Sequence, residues 1–200
     1  MFMQVIQGKV GDPAEVKSAV DRWTSELAPG AAGWLGTTCG VTADGMSVAI
    51  VRFQDEEAAR ANSERPEQNQ WWMEMSKLFS GDVTFHDCRD SFEFLHGGSD
   101  EARFVQVIQG RTDDEPRLRE LNQQFEQHAG TRPDLIGGTI GMHGDGGFTQ
   151  VAYFTSEEEA RAAEGREPPE EMKAVIEEEM ALIKDVAYFD LTDPWLYAPR

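Results

Sequence analysis

The chain has 200 residues, with 37 acidic side chains against 18 basic ones and a formal charge of -19 at pH 7. A field of that sign repels phosphate backbones and anionic lipid head groups, which argues against nucleic-acid and membrane-surface partners. No stretch reaches the roughly 20 apolar residues of a membrane span, the N-terminus lacks a secretory pattern, and the two cysteines, Cys39 and Cys88, are too few for a disulfide scaffold, so a cytoplasmic location is expected.

In chain order, Phe2 to Gly8 is a short β-prone run. Asp12 followed by Pro13 is an N-cap with proline in the first turn, and Val16, Ala19, Val20, Trp23 and Leu27 recur at helical spacing until Pro29-Gly30. Trp34 to Thr42 and Met46 to Phe53 read as strands joined by Asp44-Gly45, a dipeptide suited to a tight hairpin turn. A helix begins near Asp55, is interrupted at Pro66 and resumes through Trp71, Trp72, Met75, Leu78 and Phe79 before a last strand at Asp82 to Cys88.

The second half repeats this plan. Gln4-Val-Ile-Gln-Gly8 recurs as Gln106-Val-Ile-Gln-Gly110, and between Leu35 to Arg65 and Ile136 to Arg166 12 of 31 positions are identical. One half-length unit fused to itself explains both observations. The predicted division is 1–96 for the first repeat, 97–102 for a Gly/Ser/Asp linker and 103–200 for the second repeat. Two short apolar pieces, Phe92-Glu-Phe94-Leu95 and Trp195-Leu196-Tyr197, follow the last strand of each repeat and suit exchanged edge strands.

The fold class predicted is α+β: two fused ferredoxin-like βαββαβ repeats, each a four-stranded antiparallel sheet with both helices on one face. Strands such as Val48-Ala-Ile-Val51 are apolar at consecutive positions, so both sheet faces should be covered. Packing the two sheets against each other would give a pseudo-dimeric α/β barrel, complete as a monomer with internal pseudo-two-fold symmetry.

These features resemble the dimeric α/β-barrel superfamily, and within it the antibiotic-biosynthesis-monooxygenase-like domains in tandem duplication. The repeated first strand, the Asp-Gly hairpin and Glu56-Glu57-Ala58-Ala59-Arg60, matched by Glu157-Glu158-Glu159-Ala160-Arg161, carry the resemblance. Arg-Pro-Glu-Gln and the paired tryptophans also resemble uncharacterised bacterial proteins. The resemblance implies a pocket between sheet and helices rather than one reaction. A haem-degrading relative would be expected to have an asparagine on the first strand and a histidine on the second helix; this chain has Gln4, Gln7 and no such histidine, so no cofactor is expected.

The richest polar and aromatic cluster is in the first repeat: Asn62, Arg65, Asn69, Trp71 and Trp72, with His86 on the last strand. Ala163, Val175, Ile176 and Phe189 stand at the positions of Asn62, Trp71, Trp72 and His86 in the second repeat, so a site belongs to the first. Trp71 and Trp72 would stack a planar ligand unless they simply pack, Asn62 or Asn69 would hydrogen-bond its oxygen, Arg65 would help bind it, and His86 would move a proton. His86-x-Cys88 offers two metal ligands where a structural zinc needs four, so no metal is expected. His128 and His143 have no chemically suggestive neighbours in sequence. The expected function is a cofactor-independent monooxygenase-like enzyme acting on a small planar aromatic or polyketide-like compound; the alternative is a non-catalytic small-molecule-binding or structural barrel.

Overall fold

The computed structural model describes residues 1–127 and 132–199; His128 lies outside them. The chain forms two compact units, Met1–Asp90 with Asp193–Arg200, and Ser91–Thr192. Each is built on a five-stranded antiparallel sheet with helices, the ferredoxin-like arrangement with one added edge strand.

The first unit runs β1 (Phe2–Lys9), α1 (Pro13–Glu26), β2 (Trp34–Val41), β3 (Met46–Phe53), α2 (Glu56–Ser63), α3 (Pro66–Met75) and β4 (Thr84–Cys88). After β5 (Asp90–Leu95), the second unit continues with β6 (Phe104–Thr112), α4 (Glu115–Gln127), β7 (Leu135–Met142), β8 (Gly147–Phe154), α5 (Glu157–Glu164), α6 (Glu170–Leu182) and β9 (Ile183–Leu191), and β10 (Trp195–Tyr197) ends the chain. The sheet orders are β10-β2-β3-β1-β4 and β5-β7-β8-β6-β9. The two apolar tail pieces are therefore exchanged: β5 joins the second sheet and β10 the first.

Local chemistry sets these elements. The Asp12 carboxylate accepts from Ala14 N at 2.8 Å and Pro13 opens α1, while Asp55 caps α2 by accepting from Ala58 N at 2.8 Å. Arg65, the residue before Pro66, is extended at φ -66°, ψ 131°, so α2 and α3 are separate helices, as the proline requires. Gly45 and Gly146 turn the two hairpins at φ +84° each.

The repeated glycine at the end of β1 and β6 permits a close approach. A Cβ on Gly8 would lie 2.8 Å from the Phe79 ring, and one on Gly110 would lie 2.9 Å from the Phe148 ring. The same backbone gap thus receives a ring from different elements in the two units. Side chains on both faces of the first sheet are buried: Met3, Val5, Val48 and Ile50 on one, Phe2, Ser47 and Phe53 on the other.

Candidate functional site

A cavity of about 410 Å³ lies within the first unit, between its sheet and α1, α2 and α3. Strand alternation builds its floor. Phe2, Gln4 and Ile6 of β1, Thr37 and Cys39 of β2, Ser47, Ala49, Val51 and Phe53 of β3, and Phe85 and Asp87 of β4 share that face. The middle of the floor is made of small side chains, which leaves room beneath the helices.

The second unit fills the equivalent room. Phe148, Ile140 and Gly138 replace Ser47, Cys39 and Thr37. Phe148 and Ile140 are buried in an apolar cluster with Phe94, Phe104 and Leu118. Gly138 is needed there because the Phe94 ring occupies the place of a side chain; a Cβ would overlap it. Phe148 and Ile140 thus put large side chains where the first unit has the small Ser47 and Cys39.

The cavity's wall is aromatic. Trp71 and Trp72 lie 6.2 Å apart between ring centroids, Trp72 meets Phe85 edge-on at 5.4 Å, and Trp23 stands 6.3 Å from Trp71. Trp71 is fixed by donating from Nε1 to the Ala19 carbonyl at 2.9 Å, and Trp23 donates to Gln68 Oε1 at 2.5 Å. Packing and lining are therefore not alternatives for Trp71: its indole NH anchors α3 to α1 while the ring lines the cavity. Phe85, 47 % exposed, stands where the cavity meets solvent.

Of the residues singled out in sequence, Asn62, Asn69, Trp71 and Trp72 line this cavity. Asn62 is only 7 % exposed, and its Oδ1 accepts from Arg65 Nη1 at 2.9 Å. Because arginine can only donate, this contact assigns the amide oxygen and leaves Nδ2 as the donor of a side chain that lines the cavity. Arg65 itself is not in the lining. Its guanidinium also donates to the Leu27 carbonyl at 3.1 Å and to Glu67 Oε1 at 3.0 Å, tying the end of α1 to the α2–α3 junction. The same contacts hold the Asn62 amide in place.

His86 is also outside the lining. Register pairs it with Val5, and alternation along β4 turns Phe85 and Asp87 to the cavity and His86 to the other face. Asp87 is the lining residue that sequence reading passed over; the pairing Gln4↔Asp87 and its repeat Gln106↔Asp190 carry the signal. In both units the glutamine Nε2 donates to the aspartate, at 2.7 and 2.9 Å, so the repeated glutamines have the same partner in each. Burial pushes the Cys39 thiol up to about 12, so this lining cysteine is not a thiolate nucleophile near neutral pH.

No protein-family model and no curated protein matches the sequence. Solved structures do resemble it. A candidate monooxygenase from Fusobacterium nucleatum superposes with a TM-score of 0.79 at 9% identity, over 98% of this chain and 94% of that one. An anthrone oxidase-like protein gives 0.68 at 9% identity, over 99% and 91%. A ferredoxin-fold protein from Listeria monocytogenes related to antibiotic biosynthesis monooxygenases gives 0.51 at 9% identity, over 100% and 95%. Among the described residues, no helix is long and apolar enough to cross a membrane. The chain is a tandem pair of ferredoxin-like repeats with the fold of monooxygenase-like proteins related to those of antibiotic biosynthesis.

Proposed function

We propose that the first unit binds a planar aromatic or polyketide-like compound and oxidises it with molecular oxygen as a cofactor-independent monooxygenase. The observation that carries this reading is the Asn62 amide, whose oxygen is held by Arg65, in the lining of an aromatic-walled cavity whose floor residue Ser47 is replaced by the buried Phe148 in the second unit. A buried donor of fixed direction suits an oxygen that gains negative charge during reaction, such as the phenolate or enolate of an electron-rich ring. For an anthrone-like ring the balance is a CH2 plus O2 giving C=O plus H2O, with the substrate supplying all the electrons. Asn62 would stabilise the oxyanion, and Trp71 and Trp72 would orient the ring. Asn69, exposed at the rim, would bind the ligand's outer end.

The test copies the second unit into the first. Ser47→Phe places the Phe148 side chain on the cavity floor, and it should weaken binding of a tricyclic hydroxyquinone at least tenfold in equilibrium dialysis while the protein keeps a cooperative melt. Undiminished binding by this variant would refute the cavity. Oxygen consumption with an anthrone separates enzyme from binding protein: binding without oxygen uptake selects the non-catalytic alternative.

A further inference from the structure

Arg60 and Arg161 occupy the same place on α2 and α5, and Asp87 and Asp190 the same place on β4 and β9, yet the two pairs are used differently. In the second unit Arg161 donates to Asp190 through Nη2, to Glu164 at 3.1 Å, and approaches Glu157 at 3.7 Å, with its guanidinium carbon 5.1 Å from the Phe104 centroid. Asp190 is closed off, with Gln106 on one oxygen and Arg161 on the other. In the first unit Asp87 keeps its glutamine, but Arg60 turns to Glu64 at 4.0 Å and its side chain is 69% exposed.

Arg89 accounts for part of the difference. It takes both oxygens of Glu56, each at 2.8 Å, and so removes the carboxylate that Glu157 offers Arg161 one turn earlier. Thr192 stands at the position of Arg89 in the second unit. Among the described residues, Glu56, Arg60 and Asp87 are the charged side chains of the lining, which Gln4 joins; Arg89 pairs with Glu56 and Glu64 with Arg60.

We propose that Arg60 and Asp87 form a second polar subsite at the cavity mouth, which reads a hydroxyl group on the ligand: the O–H donates to Asp87 and its oxygen accepts from Arg60. A neutral hydroxyl satisfies both partners at once, as a carboxylate facing Asp87 would not. With Asn62 as a donor at one position and this acceptor–donor pair at another, the ligand class narrows to a planar ring system with a keto or phenolate oxygen and a separate ring hydroxyl. Asp87 and Arg60 set specificity and need take no part in bond making.

This inference rests on the cavity being a binding site, and its test separates the two. Affinities of 2-hydroxyanthraquinone and 2-methoxyanthraquinone are measured by equilibrium dialysis for the full-length chain, Asp87→Ala and Arg60→Gln, with thermal melts confirming folding. The wild type should prefer the hydroxyl compound about tenfold, the scale of a hydrogen bond to a charged group. In Asp87→Ala the ratio should fall to about one, and in Arg60→Gln it should fall part of the way. A wild-type ratio near one, or a ratio unmoved in both variants, overturns the subsite and leaves the cavity standing. If the wild type binds neither compound, both readings fall.

Discussion

Arg65 and Asn62 show how two residues recognised separately in sequence act on one another in the fold. Both stand out as polar groups beside an apolar helix, but only the fold shows that Arg65 reaches back to the Leu27 carbonyl while gripping the Asn62 oxygen. If Arg65 acts through Asn62, the two substitutions should not add. Asn62→Ala and Arg65→Lys should each cost ligand affinity on the order of 1–2 kcal/mol, and the double variant little more than either. Arg65→Lys should also melt lower, because an ammonium cannot reproduce the planar fork of contacts. A double-mutant cycle of dialysis affinities checks this; additive losses would restore a direct ligand contact for Arg65. His86 went the other way. A histidine near an aromatic cluster invites a proton-transfer role, but one residue along a strand reverses the face, and its neighbour Asp87 holds the position in the cavity.

Among elements, the α2–α3 break was readable because Pro66 forbids the preceding residue a helical backbone whatever the tertiary context. The partners of β5 and β10 were not readable, since Phe92-Glu-Phe94-Leu95 and Trp195-Leu196-Tyr197 would suit either sheet edge. Tertiary contacts decide: Phe94 needs the gap over Gly138, and Tyr197 donates its hydroxyl to Asp21 at 2.6 Å. On α6, Glu178 pairs with Arg117 of α4 at 2.6 Å, whereas burial pushes the adjacent Glu179 carboxyl from 4.5 up to about 7. The folded state therefore holds this proton more tightly than the unfolded chain. The stability Glu179 contributes is fully present below about pH 4.5 and is lost as pH rises to 7, by about 2–3 kcal/mol. Glu179→Gln should accordingly be more stable than the wild type at pH 8, with the gap narrowing toward pH 4.5. Urea unfolding at the two pH values measures it.

For the molecule as a whole, strand exchange makes the sequence repeats and the compact units different partitions of one chain. Residues 193–199 finish the first unit, where Trp195 is 8 % exposed and its carbonyl faces the Cys39 thiol at 3.7 Å. Expressed alone, residues 1–96 lack β10 and expose the β2 edge, while residues 103–200 lack β5 and leave the space over Gly138 empty. Neither half should show a cooperative melt by itself, and co-expression should recover a folded complex; two independently cooperative halves would show that the exchanged strands contribute little. Duplication, element order and helix breaks were determined by the sequence alone, because they depend on local backbone chemistry and on comparing one repeat with the other. Where Arg60 turns, which face of β4 meets the cavity and which rings fill the second unit were decided only by the tertiary structure, because each is a competition among neighbours far apart in the chain.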